Sequence, residues 1–502
     1  MRTATTSRSK AAVMRYLLLL TLLLPSLVSA AAQGMDDARH LLGRAGLGAS
    51  PRQIIEFSGL SRVQAVDRLL ATTHHAALTP PPEWVSEAIT PRHVLRDMSP
   101  DERKDFEHRE RQRGLQLRGW WLQEMLGTPS PLTERMTLFW HNHFVSGQHK
   151  VRQPQLLYQQ NALLRRHATG NFAELLHAVA KDPAMLIYLD SASNRKDQPN
   201  ENFAREVMEL FTLGEGHYGE QDIRDAARAF TGWSVDPDNG EFRWRPAQHD
   251  MGEKTVLGHS GNLTGDEVLD LLLAQPATAD FIVAKLWREF VSPGPANPQE
   301  RRERAQVAAR FRASAYDLET ALRALFLTRS FWAASNRGTL LKSPVDLVVG
   351  TIRQFEIPVS NPLPLVTVTT QLGQNLFAPP NVKGWPGGTA WINSQTLLGR
   401  KQFAERVFRA DGMPRLEHPA QGDRPTATAM ATSPGDQRGM PRTPYEIVVD
   451  ADGWLASLPG SASPSEIERF VLARPPAGTL PVDARGRELL RLLALDPAYQ
   501  LR

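Results

Sequence analysis

Residues 200–214 read NENFAREVMELFTLG, and this stretch carries a sequence signal for both ends of a helix. Asn200 is favoured as the N-terminal cap of a helix, and Gly214 is favoured just beyond a C-terminal end. Apolar residues recur between them at helical spacing, which predicts one buried stripe. The stripe comprises Phe203, Val207, Leu210 and Phe211. The stretch therefore predicts an amphipathic helix over 202–213.

The same period dominates the sequence on both sides of this stretch. Helices are predicted over 51–70, 100–126, 132–145, 155–181, 220–231, 265–291, 298–312, 317–328, 344–356 and 394–409, and over the shorter 463–472 and 485–495. Alternation of period two is confined to 241–245 and 254–257, which could pair as one hairpin. The predicted fold is mainly α, a large multi-helix domain with a minor β-hairpin, a flexible linker and short C-terminal helices.

Composition divides the 502 residues into four predicted parts. Residues 1–30 predict a secretory signal peptide, because basic residues precede a leucine-rich run and a small-residue triplet. Residues 31–410 predict the helical domain. Residues 411–444 are rich in proline and glycine and lack apolar periodicity, which predicts a flexible linker or exposed loop. Residues 445–502 predict a C-terminal extension docked on the main domain, because its helices are too short to be stable alone.

The charge of the chain argues against a nucleic-acid partner. The formal net charge is +4, and four basic residues within the first thirty supply that excess. Without them the 58 basic side chains fall to 54, the number of acidic ones. A nucleic-acid binder needs a basic excess to neutralise phosphates. We therefore expect no nucleic-acid partner.

Two further features bear on location and chemistry. No segment after the signal region approaches the roughly 20 apolar residues of a transmembrane helix. We expect an exported chain, periplasmic or secreted, without a transmembrane helix in its mature form. The chain contains no cysteine, which excludes disulfides, thiolate metal sites and a cysteine nucleophile.

Two histidines close together follow the apolar segment 136–139. They belong to the run Trp140-His141-Asn142-His143-Phe144. On a strand, His141 and His143 would share a face and could bind one metal ion, whereas on a helix they diverge by about 200°. Alternatively, one packs in the core through a hydrogen bond and the other caps helix carbonyls. The spacing alone favours this alternative.

The helix predicted over 202–213 also carries a polar stripe. Its members are Asn202, Arg205, Glu206 and Glu209. We expect this stripe to face inward toward the 140–144 motif, where its carboxylates could hold a divalent cation or act as acid and base. The alternative is a solvated face with weak ion pairs.

Two loops carry the remaining candidates. His249 and Asp250 lie between the two pieces of predicted strand, with Lys254 just after, and the alternative is an Asx turn with an exposed histidine. The proline- and glycine-rich run 376–393 places Trp385, Trp391 and Asn393 on a rigid loop. Aromatic residues on such loops suit carbohydrate or peptide substrates, and the alternative is a plug over the helical core.

Six ordered motifs resemble the bacterial domain-of-unknown-function 1800 family. They are 140–144, 200–214, 218–233, His249-Asp250 with Lys254, Leu341-Lys342-Ser343-Pro344 and 379–393, and the opening 41–48 fits as well. The resemblance covers about 41–409 and implies a large, exported, mainly helical protein. Family genes often neighbour those of a phosphatase/sulfatase-like exported family, which implies such a partner. The resemblance implies no settled reaction.

Two functional hypotheses follow. The first is a metal-dependent, hydrolase-like envelope enzyme. Its candidate ligands for a divalent transition metal are His141, His143, Glu206 and His249, with Asp250 or Glu209 as acid/base and Lys254 as an electrostatic stabiliser. This hypothesis requires the three histidines to converge on one site. The second is a non-catalytic helical scaffold or binding module that assists the exported partner.

Overall fold

The computed structural model describes residues 32–294, 297–409, 447–460 and 462–502. The predicted signal peptide and the predicted linker lie outside the described residues. Within them the chain is mainly helical with two small sheets, which confirms the predicted fold class. No helix in this part of the chain is long and apolar enough to cross a membrane.

The helices are numbered in chain order. They are α1 (Gly34–Ala45), α2 (Pro51–Ser58), α3 (Arg62–Ala71), α4 (Arg92–Asp97), α5 (Pro100–Gly127), α6 (Pro131–His143), α7 (Pro154–Arg166), α8 (Phe172–Ala180), α9 (Pro183–Tyr188), α10 (Glu201–Glu206), α11 (Glu220–Ala229), α12 (Gly265–Ala274), α13 (Pro276–Phe290), α14 (Pro298–Ala313), α15 (Leu318–Phe326), α16 (Arg329–Trp332), α17 (Pro344–Gln354), α18 (Leu363–Gln371), α19 (Ser394–Val407), α20 (Ala451–Ala456), α21 (Pro464–Val471) and α22 (Gly486–Leu495). A π-helical segment, Val207–Thr212, continues α10.

Several long predicted helices are broken in two. The range 265–291 splits where Gln275 adopts an extended conformation, which is the conformation that a following proline favours. The range 155–181 splits before Asn171, whose side chain accepts hydrogen bonds from the first backbone amides of α8. The range 51–70 splits at Gly59, and Ser61 then caps α3 through the Gln64 amide.

The strands pair differently from the predicted single hairpin. Strand β1 (Trp233–Val235) pairs antiparallel with β2 (Phe242–Trp244), and β3 (Lys254–Val256) pairs antiparallel with β4 (His259–Gly261). The predicted pairing of 241–245 with 254–257 is therefore wrong. Leu257 and Gly258 both have positive φ, and such a two-residue turn sends β3 directly back along β4.

One contiguous apolar core joins the helices. Trp121, Trp140 and Trp287 are among its largest fully buried side chains. Their truncation to alanine would each cost about 3–5 kcal/mol of stability. A buried ion pair, Glu134 with Arg165, lies beside Trp121 in this core.

The described C-terminal segments contact the helices that precede them. The Trp454 indole donates a hydrogen bond to the Gln354 carbonyl at the end of α17. Leu341 and Leu501 form a β-bridge, and the Arg39 guanidinium donates to carbonyls at the end of α21. These contacts bring α1, α17 and the C-terminal helices together around a small cavity.

Candidate functional site

The two histidines of the 140–144 motif lie at the C-terminal end of α6 and contact different neighbours. The His141 Nε2 atom accepts a hydrogen bond of 3.2 Å from the Phe377 amide. The His143 Nε2 atom donates to the Phe211 carbonyl at 3.1 Å, and its Nδ1 atom accepts from the Lys285 ammonium at 2.8 Å. This divergence is what a helix imposes on positions i and i+2.

Burial keeps both imidazoles neutral. It lowers the pKa of His141 to about 3. Burial, together with the positive charge of Lys285, holds the pKa of His143 well below its ordinary value. Each ring thus serves as a neutral hydrogen-bonding group in the core.

The helix that follows Asn200 changes its winding after one and a half turns. The Asn200 side chain caps α10 by accepting from the Asn202 amide, and Gly214 has a φ of +80°, so both predicted ends are confirmed. Between them, α10 gives way to the π-helical segment Val207–Thr212, where the Thr212 hydroxyl donates to the Val207 carbonyl. π-Helical turns are rare and frequently occur at functional sites.

Two donors from other segments hold this π-helical segment. Lys285 of α13 donates to the Leu210 carbonyl at 3.0 Å, and His143 donates to the next carbonyl, that of Phe211. These carbonyls lie in the last turn, where a helix lacks its own donors. Burial lowers the pKa of Lys285 to about 7. Lys285 and His143 are therefore positioning residues for this segment.

The loop 376–393 is fixed to the end of α6 by Asn142. The Asn142 Oδ1 atom accepts from the Trp385 amide at 2.7 Å, and the Asn142 amide donates to the Trp385 carbonyl at 3.4 Å. A Cβ atom at Gly384 would lie 2.3 Å from the Asn142 Oδ1 atom, so the approach requires glycine there. The loop thereby holds Lys383 in a defined place.

The three predicted substrate contacts on this loop have structural partners. Trp385 and Trp391 are 5% and 7% exposed, and the Trp385 ring packs 5.7 Å from that of His141. The Asn393 side chain caps α19 by accepting from the Thr396 amide. This arrangement agrees with the alternative of a plug over the core, and substrate contact by these residues stays a prediction.

Two carboxylates of the polar stripe lie on a partly exposed face, which we call the carboxylate face and define as Glu206, Glu209, Tyr218 and Lys383. The Glu209 carboxylate accepts from the Tyr218 hydroxyl at 3.1 Å and lies 3.7 Å from the Lys383 ammonium. Glu206 stands three residues earlier, and no described residue forms a hydrogen bond or ion pair with it. The face thus combines a held carboxylate with a free one.

The electrostatics distinguish the groups of this face. Burial, then the negative charge of Glu209, raises the pKa of Glu206 above its ordinary value. Burial and the hydrogen bond to Glu209 raise the pKa of Tyr218 to about 12. Glu206 therefore retains a proton to higher pH than a solvated glutamate.

The rest of the polar stripe does not face inward. Asn202 is exposed, and Arg205 forms ion pairs with Glu201 and Glu220 near the surface. The expectation of an inward stripe is therefore wrong for Asn202 and Arg205. Their positions agree with the alternative of a solvated face, since such exposed pairs contribute little stability.

His249 and Asp250, which lie between strands β2 and β3, form hydrogen bonds with the C-terminal end of α11 and the residues just after it. The His249 Nδ1 atom donates to the Thr231 carbonyl at 2.9 Å, and the residue is 3% exposed. Its Nε2 atom has no partner among the described residues. The Asp250 carboxylate accepts from Arg228 at 2.7 Å, a hydrogen bond that, as the largest cause, lowers the pKa of Asp250.

Lys254 is engaged by nearby oxygens. Its ammonium donates to the Gly252 carbonyl at 2.9 Å and to the Asn262 side chain at 3.2 Å. Burial lowers its pKa. The alternative is confirmed in its Asx turn, because the Asp250 carboxylate accepts from the Gly252 amide at 2.8 Å, and is wrong in its exposed histidine, because His249 is buried. Acid/base work by Asp250 and stabilisation by Lys254 stay predictions.

The described residues do not assemble the expected metal ligands. His141, His143 and His249 have separate partners, on the 376–393 loop, the π-helical segment and the end of α11 respectively. Across the described ranges, no three histidine, aspartate or glutamate side chains are placed to hold a metal ion. The shared metal site stays a prediction, and the described residues contain no ligand set for it.

Two functional lysines were missed in the sequence: Lys285, which supports the π-helical segment, and Lys383, which belongs to the carboxylate face. Lys285 lies in the apolar run FIVAKLW, where a lone lysine was the only available signal. Lys383 lies in the 376–393 loop, where the prolines, glycines and tryptophans predicted a rigid loop and gave no role to the lysine. Neither position reveals its partner locally, because both contacts join segments distant in sequence.

Comparison with known proteins yields one match. The comparison with curated proteins finds none, and neither does the comparison with solved structures. A family model described as "Protein of unknown function (DUF1800)" matches residues 40–501, and the match includes the C-terminal segments beyond residue 409. The order of motifs and this match over most of the chain agree, and the chain belongs to the DUF1800 family.

Proposed function

We propose that the carboxylate face is the working site of an acid–base enzyme with hydrolase-like chemistry. One observation carries the proposal. Glu206 is a half-buried carboxylate with a raised pKa and no hydrogen-bond or ion-pair partner among the described residues, beside a second carboxylate that is held. Pairs of carboxyl groups in environments that differ in this way are typical of acid–base assignments.

The environments assign the two roles. Glu206 retains a proton more readily and donates it to the leaving oxygen of the substrate. Glu209, fixed by Tyr218 and Lys383, accepts a proton from the water that attacks. The bond to the leaving group breaks as the bond to water forms, and proton exchange with solvent restores both carboxyl groups.

The charge of the face indicates the class of substrate. Two carboxyl groups and one ammonium leave it without a positive excess, so a phosphate or sulfate ester would be repelled more than a neutral substrate. The Lys383 side chain is 65% exposed, so a ligand bound beside Glu209 can reach its ammonium. We therefore assign a neutral polar substrate with an ester or glycosidic bond.

The proposal includes export of the protein from the cytoplasm. The basic start, the leucine-rich run and the small residues before position 31 favour export to the periplasm or the medium. The test is N-terminal sequencing of the protein recovered from those fractions. We expect a mature start near Ala31, and a protein that retains Met1 would contradict export by this segment.

The activity is tested with chromogenic esters, glycosides and phosphate monoesters. We expect the wild-type protein to hydrolyse an ester or a glycoside and Glu206→Gln to lose about 100-fold or more of the rate. The matched control is Glu201→Gln, on the same helix and ion-paired with Arg205, which should keep its activity. Chelator treatment should leave the rate unchanged, whereas loss of activity would favour the predicted metal site.

The competing function, a non-catalytic helical scaffold, predicts a different result in the same assays. A chain that hydrolyses none of the three substrate classes contradicts the enzyme proposal and favours a helical scaffold. Co-purification with an exported phosphatase/sulfatase-like partner would then support the scaffold directly. Activity retained in Glu206→Gln would instead move the chemistry away from the carboxylate face.

A further inference from the structure

A cavity of about 60 Å³ lies where α1, α17 and the C-terminal segments meet. Two motifs that the proposed function does not use, 41–48 and 341–344, contribute to its wall. A Cβ atom built on Gly43 meets no atom within 4 Å, so the helix leaves open space at that position. The volume accommodates roughly four water-sized positions, which suits a phosphate or carboxylate group.

The cavity wall combines apolar and charged groups. Ile54, Phe470, Val471 and Leu501 supply apolar surface. The charged lining residues are Arg39, Arg135, Lys342, Asp346 and Arg502, accompanied by His40. A wall of this kind has one anionic group and several cationic ones, and its apolar part excludes bulk water.

Cations outnumber carboxylates in the electrostatically coupled cluster around the cavity. The cations are Arg44, Arg135, Lys342, Arg400 and Arg502, and the carboxylates are Asp346 and Glu289. Asp346 is shared, because both Arg135 and Arg502 form ion pairs with it. Buried charges without a counter-charge cost stability. An anion in the cavity would offset that cost.

Lys342 is the least satisfied of these cations. Its ammonium lies 3.8 Å from the centre of the Tyr499 ring, and no described residue accepts a hydrogen bond from it. Burial lowers its pKa to about 7. The Nε atoms of Arg44 and Arg400 are buried without a partner in the described part of the chain. The cluster thus has spare donors as well as spare charge.

A larger cleft adjoins the cavity. It has a volume of about 570 Å³ and shares Arg39 and Ala473 with the inner cavity. Its charged lining residues are Arg39, Arg337, Arg469 and Arg474 against Asp36 and Glu468. Both the cleft and the cavity therefore attract anions.

We propose that the inner cavity binds a small organic oxyanion, whose carboxylate or phosphate group contacts Lys342 and whose remainder extends past Arg39 into the outer cleft. This site shares no residue with the carboxylate face. It goes beyond the proposed hydrolysis, and either proposal can fail without the other.

The test is thermal unfolding of the full chain in inorganic phosphate or acetate, compared with chloride at equal ionic strength and pH. Binding to the folded state raises the unfolding temperature. We expect a rise of about 3 °C or more in phosphate, in acetate or in both. A response to phosphate alone identifies a phosphate group, and a response to acetate alone identifies a carboxylate. No difference from chloride overturns the proposal.

Variants locate the effect. Lys342→Met should unfold at a higher temperature than the wild type in chloride and should lose the oxyanion-dependent rise. Gly43→Leu keeps the ammonium but fills the cavity, and it too should lose the rise. Lys196→Met, at an exposed position, should keep it. A rise that persists in both Lys342→Met and Gly43→Leu places the anion elsewhere and overturns the proposal, and either variant suffices if the other fails to fold.

Discussion

Glu134 and Glu206 occupy two opposite environments in the same fold. Glu134 is fully buried, and its carboxylate accepts two hydrogen bonds from Arg165, at 2.6 and 2.9 Å, and one of 2.8 Å from the Trp121 indole. Glu206 is only half-buried and has neither a hydrogen bond nor an ion pair among the described residues. Both oxygens of the first carboxylate accept hydrogen bonds, whereas the second carboxylate is open to a ligand.

The difference separates a structural role from a chemical one. A buried charge with complete partners holds segments together, and removal of one partner leaves the other uncompensated. A carboxylate with a raised pKa and no partner adds little to stability and retains its proton for transfer. Substitutions in the two regions should therefore affect stability and activity in opposite proportions.

The largest expected effect is at the buried pair. Arg165→Met leaves the Glu134 carboxylate buried without its cation, and we expect the free energy of unfolding to fall by about 3–5 kcal/mol. Urea denaturation measures this change. Arg224→Met, at an exposed arginine, is the control and should change stability by less than about 0.5 kcal/mol. A loss of under 1 kcal/mol for Arg165→Met would contradict the structural role assigned to the Glu134–Arg165 pair.

The next largest effect is expected in the pH dependence of stability, because His141 is buried. The folded-state pKa of His141 is about 3, below the ordinary value of 6.5, so the unfolded chain binds a proton that the folded chain excludes. Stability should therefore be present above about pH 6.5 and fall as the pH decreases toward 3, by up to about 1.4 kcal/mol per pH unit for this group. His141→Phe should show a shallower loss in urea titrations over that range. An unchanged pH slope would mean that His141 ionises freely in the folded protein.

A smaller effect is expected at the support of the π-helical segment. Lys285→Met removes the donor to the Leu210 carbonyl and to His143, which we expect to cost about 1–2 kcal/mol at pH 9, where the lysine is already neutral in the folded state. At lower pH the cost should shrink, because burial of the protonated ammonium destabilises the wild type. Chemical denaturation at pH 6 and pH 9 tests this, and a cost that grows toward pH 6 would contradict the lowered pKa of Lys285.

The smallest stability effect is expected at the carboxylate face itself. Glu206→Gln removes a carboxyl group that lacks a partner and lies near the negative Glu209, so stability should change by less than about 0.5 kcal/mol. Thermal or urea unfolding checks this value. A loss of several kcal/mol would show that Glu206 contributes to the fold as Glu134 does.

The sequence predicted the features that depend on local residues. Asn200 was identified as a cap, because a cap and its target amide lie within three residues of each other. The divergence of His141 and His143 also followed from the helical period alone. Local chemistry therefore accounts for the helices and for the directions of their side chains.

The candidate site depends on contacts that no local pattern encodes. The π-helical turn uses donors from Lys285 and His143, and Glu209 receives Lys383 from a loop more than 170 residues away in sequence. The strand pairing was missed for a related reason, since the true partner strands, 233–235 and 259–261, lie in stretches where the sequence shows no alternation. Spacing within one segment cannot select among such partners.

We propose that Glu206 takes part in catalysis and contributes little to the stability of the fold. The most direct measurement is kcat/KM of Glu206→Gln at pH 7 on the ester or glycoside that the wild type hydrolyses, recorded on protein whose unfolding free energy has been determined. We expect a loss of about 100-fold or more in kcat/KM with stability unchanged. Full activity in the variant, or a loss of activity that merely follows a loss of several kcal/mol in stability, would contradict it.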